Sequence, residues 1–348
     1  MKEYPFISVI VPVLNRENDI GRCINSLLAL DYPSFEIIVV DNGSTDKTRD
    51  IISRYPVKMV VEQKRGAYAA RNTGIRLAEG EIIAFTDSDC VVDKDWLKNL
   101  VKNYSDEKVG GVGGHLLPYK PDNIIEEFLS FSPLRIFHSS ETVVIQREAN
   151  RFLSGALGSA NMSYRKKVLE EVGGFCEDFT VFCGSYDLCW RIQKTGYEVI
   201  YEPRAIAYHK LRGSLSQLVK QFFLFGKCQP QLLKKQLEGF SYIKIKTYLF
   251  PALEFRCKLP IQMLVTLDIC NLLILGLILI FIHPFFLYLS LAVFLVILWG
   301  TWRSAKKAVR KTKRMKWFLL FPLFHLLRNY AFMIGRILGG IKYRIISM

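Results

Sequence analysis

Phe6 to Val13 is a nearly unbroken apolar run rich in Val and Ile, the pattern of a parallel strand covered on both faces. Past Asn15 the period changes. Ile20, Cys23, Ile24, Leu27 and Leu28 recur at i, i+3, i+4, i+7, i+8, which is one face of a helix. Phe35 to Val40 predicts a second strand ending at Asp41, Asp46 caps a short helix carrying Ile51, Ile52 and Tyr55, and Val57 to Val61 predicts a third strand. A turn at Gly66 opens a helix to Ala78, Gly80 ends it, and Ile82 to Thr86 makes a fourth strand running into Asp87-Ser88-Asp89. This alternation predicts an α/β fold with a Rossmann-like, mostly parallel sheet and crossover helices. Ligands of such sheets bind at the carboxyl ends of the strands, where Asp41 and the Asp87/Asp89 pair fall.

From Val109 to about Tyr208 the pattern is less regular, with helical stretches near Ile124 to Phe137, Arg165 to Val172 and Asp187 to Thr195, read as the second half of the same domain. After Ser214 the character shifts. Leu215, Leu218, Val219, Phe222 and Phe223 form an apolar stripe interleaved with Lys220, Lys227, Lys234 and Lys235, as in a helix lying at a membrane interface. Leu259 to Trp302 then holds a single charged side chain, Asp268, in 44 residues. At ~1.5 Å per residue that is ~66 Å of helix, about two crossings of a ~30 Å hydrocarbon core. His283-Pro284 divides it, which predicts a hairpin of helices at Ile261 to Ile282 and Phe285 to Trp302. Trp317 to Gly335 is also long enough to span. However, His325, Arg328 and Asn329 sit near its middle, and an arginine at the bilayer centre costs about 2.5 to 3.5 kcal/mol on insertion scales, which favours an interfacial helix.

Charge sharpens the division. Of 348 residues with a net charge of +15, residues 1–203 carry 24 Lys+Arg against 29 Asp+Glu, and residues 204–348 carry 23 against 3. The expected organisation is a catalytic domain over 1–210, basic amphipathic interfacial helices over 211–258, a transmembrane hairpin over 259–302, and a basic segment with a C-terminal interfacial or membrane helix over 303–348. Arg303 to Lys316 holds eight Lys/Arg and no acid, and Arg256 and Lys258 precede the hairpin. The positive-inside tendency places both ends in the cytoplasm, so the expectation is a multi-pass cell-membrane protein with a cytoplasmic catalytic domain. The basic residues flank an apolar stretch instead of covering a polar module, which argues against nucleic acid as a partner. Eight cysteines include no CxxC pair, and a reduced set is the simplest reading. No signal peptide is expected at the N-terminus.

Two carboxylates at i and i+2 just past a buried strand, Asp87-Ser88-Asp89, can converge on a hard divalent cation of the kind a diphosphate leaving group requires; the same residues also make ordinary solvated turns. Asp41-Asn42-Gly43-Ser44-Thr45-Asp46, with Arg71-Asn72 on the following helix, can read a nucleobase and ribose, or can be a plain βα loop with a solvated arginine.

FISVIVPVLNRENDIGRCINSLLALDYPSFEIIVVDNGSTDKT, RGAYAARNTGI and AEGEIIAFTDSDC, in this order and spacing, resemble the inverting family 2 glycosyltransferases of the GT-A fold. NMSYRKKVLEEVGGF and DLCWRIQKTGYEVIYEPRAIAYH fit the same family, so the resemblance covers about residues 5–210. It implies a nucleoside-diphosphate sugar donor, UDP ahead of GDP, and a Mn²⁺ or Mg²⁺ ion. Carried over by position, Pro12, Asn15, Glu17, Asp41, Asn42, Arg71, Asp87 and Ser88 would surround the nucleotide-sugar. Asp89 would ligate the metal, and His209 falls where many members place a further metal-associated histidine, though a buried strand-end histidine reads the same way. The departure is at the catalytic base. Where members carry an acidic pair just before the Asp-Leu-Cys-Trp-Arg run, this chain has Gly184 and Ser185. Either Asp187 or a nearby acid in Glu177-Asp178 substitutes as the base, or the acceptor needs no deprotonation, or activity is lost. No Gln-x-x-Arg-Trp block follows, which argues against a polymer-extruding synthase. The leading expectation is a membrane-anchored, metal-dependent transfer of one sugar to a lipid-borne acceptor, either a polyprenyl phosphate or a lipid-linked glycan. The rival is a catalytically silent subunit that binds donor or partner enzymes.

Overall fold

The computed structural model describes residues 4–131, 140–145, 157–179, 182–236, 241–246, 253–257, 263–268, 273, 279, 283 and 285–347. The chain forms two compact units, the first from Met1–Pro121, Leu134–Glu148 and Leu153–Leu211, the second from Asp122–Pro133, Ala149–Phe152 and Arg212–Met348.

In the first unit the apolar runs become β1 (Ile7–Val13), β2 (Phe35–Asp41), β3 (Lys58–Val61) and β4 (Ile82–Thr86), connected through α1 (Ile20–Leu28), α2 (Thr48–Ile52) and α3 (Ala67–Leu77). These four strands pair in parallel in the order β3-β2-β1-β4. In α1 the predicted face is buried through Ile20, Cys23, Ile24 and Leu27, whereas Leu28 is left exposed. Beyond β4 come β5 (Cys90–Val92), α4 (Trp96–Val101), β6 (Val109–Pro118), β7 (Val143–Val144), β8 (Asn161–Arg165), α6 (Lys166–Glu171), α7 (Gly184–Lys194) and β9 (Glu198–His209), with α5 (Ile124–Phe131) falling in the second unit. The sheet continues from β4 as β8-β6-β9-β5. β8 is antiparallel to both of its neighbours and β5 is antiparallel to β9, so the sheet is mixed.

β8 is wholly buried although its sequence is Asn-Met-Ser-Tyr-Arg. Its polar groups are matched one by one, as burial demands. Asn161 accepts from Trp96 Nε1 at 2.8 Å and donates to the carbonyls of His115 and Ala205, and Ser163 donates to Val112 O. Arg165 donates to the carbonyls of Tyr104, Asp106 and Val109.

A register shift between β6 and β9, where Gly114 faces Glu202 but His115 faces Ile206, bends the end of β9 so that His209 lies opposite Cys90 of β5. Bulges of this kind re-aim side chains near sites. Glu202 anchors the shift. Fully buried, it accepts from Arg204 Nε at 2.9 Å, Lys102 Nζ at 3.1 Å and Thr142 Oγ1 at 2.8 Å.

The second unit is built around α8 (Leu215–Gln236), α9 (Phe285–Thr312) and α10 (Trp317–Tyr343). α8 and α10 run side by side in the same direction. Gly226 lies against Phe332 and Arg336, Gly335 against Phe223, and Gly339 against Lys227. A Cβ on any of these glycines would come under 3 Å from the facing backbone, the close approach that small residues allow. α10 folds back on α9, with Trp302 stacked on Phe318 and with Val293 and Ile297 in one cluster with Leu326 and Tyr330. α5 joins through Phe128, edge-on to Phe321 and Phe324.

Three expectations change here. Ser241–Lys246, expected among the interfacial helices, is the strand β10, and Leu253–Cys257 is β11. Ser-Tyr-Ile-Lys-Ile-Lys alternates polar and apolar residues with β-branched and aromatic side chains, which suits a strand. Met263–Asp268, expected to open the first hairpin helix, is β12, parallel to β10 with Val265 opposite Ile243; β13 (Ile346–Ser347) completes this sheet. A short apolar run does not by itself distinguish a strand from a helix. Leu273 and Leu279 are helical, and most of the remaining hairpin expectation lies outside the described residues. Finally, α9 runs ten residues past Trp302 through the basic segment.

The Glu202 network yields a pH prediction. Burial raises this carboxyl, but hydrogen bonds from Arg204, Thr142 and Lys102 outweigh it and hold the group down at about 2 against an ordinary 4.5. A carboxyl depressed in the folded state stabilises above its unfolded pKa, and the contribution is lost as pH falls toward the folded value. Thermal melts should therefore show stability declining from about pH 4.5 toward 2. Glu202→Gln should flatten that decline and lower stability at pH 7 by on the order of 1–2 kcal/mol, allowing for screening at the exposed Arg204.

Candidate functional site

The carboxyl ends of β1 and β2 carry two loops laced together. Asn15, with φ +51°, accepts from Thr45 N at 2.8 Å through its side chain and donates its own N–H to Ser44 Oγ at 2.9 Å. Glu17 accepts from Lys47 N at 3.0 Å, and Asp46 accepts from Glu17 N. Pro12 is buried within β1, opposite Val40. Asn15 and Glu17 thus shape the edge, while Pro12 belongs to the strand.

Asp41 ends β2 with its side chain fully buried, accepting from Arg49 Nε at 2.6 Å and from the N–H groups of Gly43 and Ser44 at 3.2 Å. Burial pushes its carboxyl up, yet the bonds from Ser44 and Arg49 together hold it below the usual range. Asn42 is turned elsewhere. It donates to the carbonyls of Glu62 and Lys64 and accepts from Gly66 N at 2.7 Å, so its amide braces the start of α3.

Past β4 the two acids divide. Asp87 accepts from Arg71 of α3 at 2.6 Å, and that guanidinium is buried beside the rings of Tyr68 and Phe175. Ser88 is buried between them. Asp89 is met on one oxygen by Arg16 at 3.4 Å and on the other by His209 Nε2 at 3.3 Å. The bend of β9 thus brings His209 to an acid 120 positions away. Donor atoms of Asp89, Cys90 and His209 lie within 4.8 Å of one another. Burial, with the charges of Asp89 and Asp87, raises the Cys90 thiol well above its ordinary value. Asp89 and His209 offer a carboxylate and an imidazole, a set that suits Mn²⁺ or Mg²⁺ through oxygen with one nitrogen added. Cys90 and Arg16 were not singled out from sequence; an arginine within Asn-Arg-Glu carries no marker of a partner seventy residues on.

Asp187 is committed differently from a free base. On α7 it is buried and paired with Arg191 Nε at 2.9 Å, and Arg191 also binds the carbonyls of Val172 and Gly174. Glu177 accepts from Lys64 at 2.6 Å and from Asn72 at 2.7 Å, and these bonds lower its carboxyl. At the start of α7, Gly184 donates its N–H to Tyr68 Oη at 3.0 Å. A Cβ on Gly184 would come 2.5 Å from the Tyr68 ring. Sequence shows that the acid is missing; only the fold shows that a tyrosine occupies its space. Cys23, Cys90, Cys176 and Cys189 carry reduced thiols.

The model of the family described as Glycosyl transferase family 2 matches residues 8–173, the stretch that contains Asp41, Asp87 and Asp89. Glycosyltransferase AglE of Haloferax volcanii is 31% identical over 238 residues, which cover 66% of this chain and 74% of that one. A Methanococcus voltae protein, named as a dolichyl N-acetyl-α-D-glucosaminyl phosphate 3-β-D-2,3-diacetamido-2,3-dideoxy-β-D-glucuronosyltransferase, is 26% identical over 97% of this chain and 99% of its own. Among solved structures, mannosyltransferase PcManGT from Pyrobaculum calidifontis, in complex with GDP-Man and Mn²⁺, aligns over 98% of this chain and 87% of its own with TM-score 0.57 and 20% identity, a likeness of fold. With its GT-A-like mixed sheet and its acids at the carboxyl edge, the chain belongs to glycosyltransferase family 2, a family of transferase enzymes.

Proposed function

We propose that the protein transfers one sugar from a nucleoside-diphosphate sugar to a lipid-borne acceptor, with a divalent ion at Asp89 and His209. The observation that carries this reading is the convergence of Asp89 and His209 beside Asp87, at the sheet edge where α/β folds bind ligands. When bound, the ion supplies charge for the departing diphosphate. Asp41, at the end of β2, faces the base or ribose, and Arg71 holds Asp87 toward the sugar.

For the acceptor, the geometry favours an ionised phosphate. Tyr68 occupies the space an acid at position 184 would need, Asp187 is spent on Arg191, and Glu177 on Lys64 and Asn72. A phosphate monoester carries about −1.5 to −2 charge near pH 7 and attacks without a base, and a carboxylate beside it would repel it. A second reading, a lipid-linked saccharide with a hydroxyl nucleophile, is favoured by the name of the Methanococcus voltae relative, which matches along nearly the whole chain.

The full-length protein with Mn²⁺, labelled UDP- and GDP-sugars, and either polyprenyl phosphate or a lipid-linked saccharide distinguishes the two. The expected result is glycosylated phosphate, with Asp187→Asn keeping most activity and Asp89→Ala losing metal-dependent donor binding. Extension of the saccharide alone, abolished by Asp187→Asn, rejects the phosphate reading in favour of the second. Mn²⁺-dependent donor affinity unchanged in Asp89→Ala rejects the ion site.

The anchor follows the same order of argument. α9 and α10 are both long and apolar enough to cross a membrane. We propose that the apolar part of α9 enters the membrane, with the basic segment and catalytic unit in the cytoplasm. Accessibility tags between Lys306 and Lys316 should report the cytoplasm and a tag at His283 the opposite side. A cytoplasmic His283 would make the apolar stretch re-entrant.

A further inference from the structure

Asp89 is enclosed from two sides by groups of different kinds. His209, on β9, is a potential ligand. Arg16 is not, because a guanidinium has five donors and no lone pair for a metal. Its terminal nitrogen nevertheless sits 3.4 Å from Asp89 Oδ2, on the oxygen opposite the one His209 faces. Arg16 is also held differently along its length. Its backbone N–H donates to Thr48 Oγ1 at 2.8 Å, which fixes the root of the loop, while a third of its side chain is exposed against 7% for Asp89. A fixed root and an open head allow the guanidinium to swing without moving the strand edge.

We propose that Arg16 is a built-in counter-cation for Asp89, which it steadies until a divalent ion enters and then leaves to pair with the diphosphate of the donor. The proposal rests on the reading of Asp89 and His209 as an ion site. A cation carrying two charges on Asp89 repels a guanidinium at salt-bridge distance on the same carboxylate. Ion binding therefore drives the exposed head of Arg16 away, and the ion's affinity is reduced by the pair that is broken. The displaced guanidinium lies at the end of β1, on the edge that would receive the phosphates, and its planar fork suits phosphate oxygens better than an ammonium does. One side chain would thereby couple ion entry to diphosphate binding, as a positioning residue for the donor.

Titration calorimetry of the full-length protein in detergent tests this with Mn²⁺ alone and then with pyrophosphate at saturating Mn²⁺, the group common to UDP and GDP donors. Removing a partly exposed ion pair should make Arg16→Met bind Mn²⁺ roughly two- to fivefold tighter than the wild type, with Arg16→Lys close to the wild type. The same Met variant should bind pyrophosphate about tenfold more weakly once Mn²⁺ is present. Mn²⁺ affinity that is equal or weaker in Arg16→Met overturns the counter-cation role, even though the ion site stands. Unchanged pyrophosphate affinity overturns the transfer to the diphosphate. If neither protein binds Mn²⁺ and Asp89→Ala behaves as they do, the ion site and the role of Arg16 fall together.

Discussion

Asp41, Asp87 and Asp89 stand at one edge of one sheet, Asp41 and Asp89 buried and Asp87 partly exposed, and like charges gathered there must be answered locally. Each has its own cation drawn from a different element: Arg49 from α2, Arg71 from α3, and Arg16 from the loop after β1, with His209 reaching Asp89 from the far end of β9. Much of the surrounding architecture exists to deliver those partners. The parallel register sets Val13 level with Asp41, the lacing of Asn15 to Ser44 and Thr45 fixes the loop that carries Arg16, and the Glu202 bulge turns β9 toward Asp89. An edge so arranged is charged but compensated. A ligand bringing both a cation and phosphates can exchange partners with it at little cost in total charge, which an uncompensated cluster of acids could not offer.

The part of this plan that was legible in the sequence is the part built from local patterns. β1, β2 and β4 are buried and so read as continuous apolar runs, and the runs of β2 and β4 stop at an acid or beside one. That places Asp41, Asp87 and Asp89 on the edge without coordinates. What escapes is whatever depends on partners far along the chain. β8 has no apolar run at all. Asn161, Ser163 and Arg165 can be buried there only because Trp96, Tyr104 and several carbonyls meet them, and no local pattern encodes that meeting. The same holds for Tyr68 at the start of α7. Gly184 looks in sequence like a lost acid, but a ring packed against its hydrogen makes it a requirement of close packing.

The second unit shows the opposite failure, a strong signal with two solutions. Apolar content across 259–302 predicts burial in something, and the expectation of helices assumed that this something was lipid throughout. Met263–Asp268 instead pairs with β10, which gives its backbone groups a ladder. Alternation in Ser241–Lys246 is the local signal that favours a strand there.

The helices of that unit differ in what accompanies them, and this bears on where each can lie. α10 passes any test of length and apolar composition, but it is fused along its second half to α8 through Gly226, Gly335 and Gly339, with Gln229 accepting from Arg336 at 3.1 Å. A seam that tight forces the two helices to share one environment. α8 carries Lys220, Lys227, Lys234 and Lys235, all exposed, and each lysine placed near the bilayer centre would cost about 2.5 to 3.5 kcal/mol. Arg328 and Arg336 of α10 itself point inward, buried, not outward to lipid. Meanwhile Leu319, Leu323, Ile334, Leu338 and Ile341 form an exposed apolar stripe on the outer face of α10. A pair of helices with lysines on one border and a leucine–isoleucine stripe on another is amphipathic as a pair, the pattern that suits a boundary between water and hydrocarbon. In α9, Leu287, Leu291, Leu295 and Trp299 are exposed and the charges begin only at Arg303, so its apolar portion is long enough to cross a membrane while its basic end is unsuited to hydrocarbon.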